Sequence, residues 1–252
     1  MKSIGLFFKF IIEALKDFKL NFGMYLPVYI SFLLINFLML IPWEFFGYQD
    51  KSGPEIIIAI IAGLLSLVCV TNVILIEKSR MKMREKEKLL YAAPTYLIYT
   101  LYSSLIILVF FSTFFLLPKT DANALQGASL SAILVYLKFA VAAIPAILAG
   151  VCVAMLPLAS VLIDNDNANY FKLSLKLARK SPALVFLMGA SSIFIEVPSV
   201  AIDLLPNLIA QTAAGFVYAF FDGILIIVLT KASVAIFYYL KKQIFGEAVY
   251  SS

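Results

Sequence analysis

Residues 144–163 read IPAILAGVCVAMLPLASVLI, and the chain continues with DNDNAN at 164–169 and YFKLSLKLARKSP at 170–182. No charged side chain occurs from Phe139 to Ile163. About 20 consecutive apolar residues are enough for a helix to cross the roughly 30 Å of bilayer hydrocarbon. The stretch therefore predicts a transmembrane helix, then a polar break, and then a second, shorter helix.

The second helix combines a basic face with an apolar one. At 100° per residue its basic side chains fall within one arc: Lys172, Lys176, Arg179 and Lys180. Phe171, Leu175 and Ala178 fall on another face. This pattern is typical of an amphipathic helix that lies in the headgroup region with its basic side chains near lipid phosphates. We therefore predict that the four basic residues contact anionic lipid.

The composition of the chain indicates a membrane protein. Its 252 residues are 63% hydrophobic and 14% charged, whereas soluble domains are roughly 45–50% apolar and about 25% charged. The net charge is +5, but the basic residues flank apolar segments and do not form a soluble basic face, so we expect no nucleic-acid partner. Residues 1–252 are predicted to form a single integral membrane domain.

The predicted fold is all-α: a polytopic membrane helix bundle with six transmembrane helices and interfacial amphipathic helices. The six apolar segments occur at about residues 23–43, 56–76, 96–117, 139–163, 183–205 and 213–240. Residues 1–22 have the position of a signal peptide, but charged residues interrupt any apolar core. They predict an amphipathic N-terminal helix instead.

The predicted N-terminal helix has two contrasting sides. Its apolar side carries Phe7, Ile11, Ala14, Leu15, Phe18 and Phe22. Its charged side carries Lys9, Glu13, Lys16 and Asp17. Such a distribution favours a helix that lies along the membrane surface.

Basic residues are distributed unequally between the two sides of the predicted bundle. Sixteen of the twenty lysines and arginines lie in the N-terminal helix, residues 77–88, residues 164–182 and the pair Lys241 and Lys242. The loops on the opposite side hold Lys51 and Lys119. Because positive charge is concentrated in cytoplasmic loops, we predict a multipass protein of the bacterial inner (cytoplasmic) membrane with both termini in the cytoplasm.

The central motif resembles that of a known family. Ile144-Pro145 opens the fourth apolar segment, Leu156-Pro157 follows, and SLKLARKSP at 174–182 precedes the next apolar segment. This order resembles the YciC-like multipass inner-membrane proteins and, more broadly, the membrane domain attached to some glycerophosphodiester phosphodiesterases, although Ala146 stands where the family usually has glycine. The resemblance implies an inner-membrane location and an envelope role. It does not imply phosphodiesterase activity, because these residues contain no phosphodiesterase domain.

Small residues recur every four positions on two of the apolar segments. They are Ala142, Ala146, Gly150 and Ala154 on the fourth, and Gly215, Ala219 and Gly223 on the sixth. Small residues allow helix backbones to approach closely in lipid. We favour packing within the bundle, because two such faces in one chain can serve each other, and keep a dimer face as the alternative.

Charged residues occur well inside the predicted fifth and sixth spans: Glu196 in the fifth, and Asp222 and Lys231 in the sixth. A charge at the bilayer centre costs about 2.5–3.5 kcal/mol on insertion scales, so such residues usually have partners or line a polar pathway. One hypothesis pairs Lys231 with Glu196 or Asp222. The nine residues between Asp222 and Lys231 on one helix disfavour Asp222 as the direct partner. Alternatively, all three residues lie nearer the membrane–water interface, where Lys231 reaches water and the carboxylates are hydrated.

Catalysis finds little support in the sequence. The chain contains no histidine, which is the commonest metal ligand. Asp164 and Asp166 sit in DNDNAN without the glycine and terminal glutamate of a calcium loop. We expect this segment to cap the following helix through Asn167 or Asn169. We therefore predict no catalytic residues, no cofactor, no metal and no enzymatic activity.

Two functions remain open at this point. The first is a non-catalytic role in maintaining or organising the envelope or the membrane lipid. Its expected partners are anionic lipid headgroups, other membrane proteins or a second copy of the chain. The alternative is a small transporter or lipid-moving protein that uses the intramembrane carboxylates Glu196 and Asp222. A water-accessible cavity that reaches these carboxylates would favour the alternative.

Overall fold

The computed structural model describes residues 2–40, 52–80, 89–112, 144–163, 169–191 and 208–246, with residues 141 and 202. The helices are α1 Lys2–Leu20, α2 Phe22–Leu40, α3 Ser52–Arg80, α4 Leu89–Phe111, α5 Ile144–Leu162, α6 Tyr170–Lys180, α7 Pro182–Ala190 and α8 Leu208–Phe245. A turn at residues 154–155 interrupts α5. The described part of the chain contains no β-strand. Its all-α class is therefore confirmed.

Four of the described helices are long and apolar enough to cross a membrane. Their apolar stretches are Ile57–Arg80 in α3, Tyr91–Val109 in α4, Ile144–Leu162 in α5 and Ala213–Phe245 in α8. A fifth candidate arises when α1 and α2 are counted together across a bend of 99°. The predicted fifth span, 183–205, begins in α7, and most of its remainder lies outside the described residues.

The bend between α1 and α2 is built around Asn21. The Asn21 amide Nδ2 donates to the backbone oxygen of Asp17 at 3.1 Å and to its carboxylate Oδ1 at 2.8 Å. The Met24 backbone N–H then donates to the Asn21 carbonyl at 3.0 Å. The Asn21 backbone N–H donates to the same Asp17 carbonyl at 3.0 Å, so Asn21 closes the end of α1 through both its backbone and its side chain. It thereby fixes α1 almost perpendicular to α2.

The surface of α1 has three sides rather than the two expected from its sequence. Phe7, Ala14 and Phe18 are buried against the rest of the protein. A second apolar side remains exposed: Ile4, Phe8, Ile12 and Leu15. The prediction that Leu15 shares the side of Phe7 and Phe18 is therefore wrong. The protein therefore covers only one of the two apolar strips of α1. The other strip is an exposed apolar patch of the kind that binds a membrane or a partner.

Buried side chains form two apolar cores that meet along α8. One core joins α1, α2 and α3 to α8, with Tyr25, Phe32 and Val73 among its members. The other joins α5, α6, α7 and the last part of α8, and it also includes Phe7 of α1, Ile74 of α3 and Ala92 of α4. With 38 residues, α8 is about 57 Å long at 1.5 Å per residue. It is therefore longer than the roughly 30 Å of hydrocarbon in a bilayer.

Several of the small residues lie at close approaches between helices. A Cβ added at Gly150 would lie 3.8 Å from Ile107 of α4, and one at Gly189 would lie 4.0 Å from the Cβ of Ala154. A Cβ added at Gly223 would lie only 3.2 Å from the Cβ of Phe32 on α2. These positions pack inside the bundle, but Gly150 faces α4 and Gly223 faces α2, so these two glycines do not serve each other as expected. Ala142 lies outside the described residues.

Gly223→Ala is expected to destabilise the protein, because the added methyl group meets Phe32 and Tyr29 at 3.2 Å and closely packed cores resist extra atoms. Gly63→Ala on α3 is the matched control, since nothing lies within 4 Å of the added Cβ. There, the better helix propensity of alanine adds about 0.5–1 kcal/mol. We expect a lower thermal unfolding midpoint in detergent for Gly223→Ala and an unchanged or higher midpoint for Gly63→Ala. Equal midpoints would contradict the close contact.

Candidate functional site

Five polar side chains from four helices meet where α1, α2, α3 and α8 converge. They are Asp17 of α1, Tyr25 of α2, Glu77 and Arg80 of α3, and Lys231 of α8. We refer to these five residues as the ion cluster. The ion cluster holds two formal positive and two formal negative charges, so its members neutralise one another.

Lys231 is at the centre of the ion cluster. Its side chain is 3% exposed, and its Nζ lies 2.7 Å from Asp17 Oδ2, 2.6 Å from Glu77 Oε1 and 2.6 Å from the Tyr25 hydroxyl. A lysine ammonium has three N–H donors and no acceptor. Each donor therefore has its own acceptor, and the three acceptors come from three different helices. One buried ammonium thus ties α1, α2 and α3 to α8.

Arg80 closes the outer side of the ion cluster. Its Nη1 lies 2.5 Å from Asp17 Oδ2 and its Nη2 lies 2.8 Å from Asp17 Oδ1, the bidentate geometry that favours arginine. Nη1 also donates to the Tyr25 hydroxyl at 3.0 Å. These hydrogen bonds from Arg80, with those from Lys231, hold the pKa of the Asp17 carboxyl well below its usual range despite partial burial. Asp17 is therefore ionised at neutral pH.

The partners of Lys231 differ from the pairing expected from the sequence. Within the described residues its carboxylate partners are Asp17 and Glu77, and Glu196 lies outside them. The sequence places Asp17 on the charged side of the N-terminal helix, which is wrong, because in the structure Asp17 faces Arg80 of α3 and Lys231 of α8. The sequence signals for this site are the charge of Lys231 inside one apolar segment and the polar pair Glu77 and Arg80 at the end of another.

Asp222 has a separate set of partners. It is 7% exposed, accepts a hydrogen bond from Asn36 Nδ2 at 2.8 Å and another from the Tyr218 hydroxyl at 3.2 Å. Nine residues, or about 13.5 Å of helix, separate Asp222 from Lys231 on α8. The structure therefore places the two predicted intramembrane charges in different polar contacts.

A buried lysine links α3 to α5. The Lys78 side chain is 2% exposed, and its Nζ donates to the backbone oxygen of Val161 at 2.7 Å. Val161 is in the last turn of α5, where carbonyl oxygens have no partner within the helix. Lys78 therefore satisfies the end of α5 and holds it against α3.

A basic cleft opens at the same end of the bundle, between α6 and the ends of α5 and α8. Its lining residues are Ile163, Asn169, Lys172, Leu173, Lys176, Lys241 and Phe245. Its volume is about 310 Å³. Three lysines thus line a cleft whose remaining surface is mostly apolar. We refer to these seven residues as the basic cleft.

The predicted amphipathic helix is α6, but its faces differ from the expectation. Asn169 caps it by accepting from the Lys172 backbone N–H at 2.9 Å, which confirms one of the two predicted caps. Ala178 is buried, whereas Phe171 is 45% exposed, so these two do not share a buried face. All four basic side chains are exposed: Lys172, Lys176, Arg179 and Lys180. Lys172 and Lys176 line the basic cleft, and Arg179 and Lys180 do not.

A second cavity, of about 230 Å³, lies among α3, α4, α5, α7 and α8. Its polar lining includes the hydroxyls of Ser191, Thr230 and Ser233, each of which donates to a carbonyl oxygen of its own segment. Neither Asp222 nor Lys231 lines this cavity or the basic cleft. Among the residues that the structure describes, no group of three or more His, Cys, Asp or Glu side chains is placed to hold a metal ion.

Comparison of the chain with family models, with curated proteins and with solved structures finds no match. The site is therefore interpreted from its own geometry.

Lys231→Met is expected to destabilise the fold, because Asp17 and Glu77 would then share Arg80 alone. Breaking a buried ion pair costs roughly 3–5 kcal/mol, and the partial exposure of Asp17 places this loss near the lower end of that range. The control is Lys9→Met, since Lys9 and Glu13 form an exposed pair at 3.8 Å and such pairs contribute little. Denaturant unfolding of the two variants in mixed micelles measures the difference. Equal unfolding midpoints would show that the ion cluster adds no net stability.

Proposed function

We propose that this chain is a six-span protein of the bacterial inner membrane with both termini in the cytoplasm. Its proposed role is non-catalytic: it organises membrane lipid or the envelope through contact with anionic headgroups and partner proteins. The YciC-like resemblance, with its implied envelope location, agrees with this proposal. The observation that carries it is that α1 and α6 both present exposed basic and apolar side chains near the end of the bundle where Arg80 and Ile163 lie.

The six spans correspond to α2, α3, α4, α5, the segment that begins with α7, and α8. This number is supported by four helices that are each long and apolar enough to cross a membrane, and by α2, which meets the same condition when it is counted together with α1. α7 begins at Pro182, within one residue of the predicted fifth span, and is apolar throughout. An even number of spans places both termini on one side.

The direction of α1 supports an in-plane position at the cytoplasmic surface. A span along α2 combined with the 99° bend puts α1 roughly parallel to the membrane. Its exposed apolar side would then face hydrocarbon, while Lys9 and Glu13, which are 67% and 57% exposed, would face water. The buried side of α1 packs against α7 and α8, so side-chain contacts hold this helix against the bundle.

The transporter alternative is less well supported by the described geometry. Transport through an intramembrane carboxylate needs a polar route to it. Asp222 is buried, holds hydrogen bonds with Asn36 and Tyr218, and lines neither described cavity. Paired polar groups of this kind fit a structural role between α2 and α8. The contacts of Asp222 therefore favour a structural role for this carboxylate, while Glu196 lies outside the described residues.

Cysteine accessibility tests the proposed orientation. In a background in which Cys69 and Cys152 are alanine, a cysteine at Arg84 is expected to resist a charged thiol reagent in intact spheroplasts and to react after permeabilisation. A cysteine at Lys119 should react in both cases, because it lies in a predicted outer loop. Labelling of the Arg84→Cys variant in intact spheroplasts would overturn the orientation.

Lipid analysis tests the proposed role. The full-length protein is reconstituted in bilayers of mixed phosphatidylglycerol and phosphatidylcholine, and the lipids retained with it after mild detergent extraction are compared with the bulk mixture. We expect enrichment of phosphatidylglycerol that decreases with salt, since each basic residue near the surface contributes about 1 kcal/mol, or roughly fivefold in partition. Changing Lys16 and Lys19 together to glutamine should lower the enrichment. A matched change of Lys51 and Lys119 should not, and a retained-lipid composition equal to the bulk would contradict the role.

A further inference from the structure

We infer that the basic cleft is a binding site for one anionic phospholipid. Its headgroup phosphate contacts Lys172 and Lys176, and its glycerol region rests on the apolar wall of the cleft. This inference rests on the proposed membrane function and goes beyond it, because it assigns one stoichiometric site where the proposed function requires only general attraction.

The lysines of the cleft are placed to act on one phosphate. Lys172 and Lys176 are four residues apart on α6, so their side chains are neighbours on the same face of the helix. Lys241 lines the cleft from α8. Within the part of the chain that the structure describes, neither Lys172 nor Lys176 forms an ion pair with a carboxylate. Lys172 and Lys176 therefore offer two neighbouring positive charges to an anion in the cleft.

The helix that carries these lysines is held in a fixed position. Asn169 caps its first turn at 2.9 Å, and the Ser174 hydroxyl donates to the Cys152 carbonyl of α5 at 2.7 Å. Leu177 and Ala178 are buried in the core. Binding to a rigid helix costs less ordering entropy than binding to a flexible segment. The helix that carries Lys172 and Lys176 is thus preorganised, and only the two lysine side chains have to become ordered when a ligand binds.

The apolar part of the cleft favours a lipid over a free phosphate. Ile163, Leu173 and Phe245 provide most of its remaining wall, and Phe245 is 41% exposed. The Lys176 ammonium lies 5.7 Å from the centre of the Phe245 ring, so the charge is held above an apolar surface. The volume of about 310 Å³ is at the lower end for ligand pockets. It suits a headgroup and glycerol unit whose acyl chains stay in the bilayer.

The position of the cleft matches the depth of a headgroup. Ile163 directly follows the apolar helix α5, and Lys172 and Lys176 are on the next helix in the chain. Basic pockets at the cytoplasmic ends of transmembrane helices recognise anionic lipid headgroups through the same chemistry. The lysines and the apolar wall are adjacent in the cleft, as the phosphate and the glycerol esters are adjacent in a phospholipid.

The same helix provides a matched control. Arg179 and Lys180 are exposed on α6 but do not line the cleft. The variant K172Q/K176Q and the variant R179Q/K180Q each remove two positive charges from the same helix. General attraction to anionic lipid predicts equal effects of the two changes, whereas a site in the cleft predicts unequal ones.

Native mass spectrometry of the full-length protein in detergent measures the binding. The probes are phosphatidylglycerol and phosphatidylcholine with identical acyl chains, with glycerol 3-phosphate as a free-headgroup competitor. We expect one phosphatidylglycerol bound per chain in preference to phosphatidylcholine. K172Q/K176Q should weaken it by roughly 25-fold, from about 1 kcal/mol per lysine, while R179Q/K180Q should stay within about twofold. K172R/K176R should retain binding, and the unfolding midpoints of all variants should match, because the changed residues are exposed.

Several outcomes would overturn the assignment. Equal losses in the two glutamine variants would leave only general electrostatic attraction, and retained binding in K172Q/K176Q would place the lipid elsewhere. Displacement by glycerol 3-phosphate at the concentration at which the lipid binds would make a free phosphate the occupant. If phosphatidylglycerol enrichment in bilayers persists without one-to-one binding, the cleft assignment fails while the proposed function stands. If both are absent, both fail.

Discussion

The ammonium of Lys231 is the interaction on which the arrangement of the first half of the chain depends. It is buried beside two carboxylates, and a buried charge is tolerated only when it is paired and hydrogen-bonded. Its acceptors lie on α1, α2 and α3. Those helices must therefore approach α8 together, and the placement of α1 follows from this requirement as well as from its apolar side.

The ion cluster also separates two roles that charge has in this protein. Asp17, Glu77, Arg80 and Lys231 neutralise one another and hold helices together. Lys172, Lys176, Arg179 and Lys180 are exposed on α6 and supply net positive charge at the surface. The first group acts on the fold, and the second lies on the surface. Because the charges of the ion cluster cancel, the net positive charge of the chain comes from residues outside that cluster.

The helices were largely predictable from the sequence, whereas the sites were only partly so. Long apolar runs are local signals, so α3, α5 and α8 fall close to their predicted segments. The partners of Lys231 are 154 and 214 positions away in the sequence, and no local periodicity relates them. The prediction for Asp17 is wrong because a helical projection gives the direction of each side chain but does not show which side of the helix packs against the rest of the protein. The division of the apolar side of α1 into a buried strip and an exposed strip has the same reason, because burial depends on which helices pack against α1.

Close packing between α2 and α8 gives these two helices a common register. Gly223 leaves no space beside Phe32, Asn36 donates to Asp222, and the Tyr29 hydroxyl donates to the Phe220 carbonyl at 3.2 Å. Sliding one helix along the other by a turn would break both hydrogen bonds and bring side chains into collision. The register of α2 against α8 is therefore fixed by both polar contacts and close packing. α5 differs from these two helices, because a turn at residues 154–155 divides it into two segments.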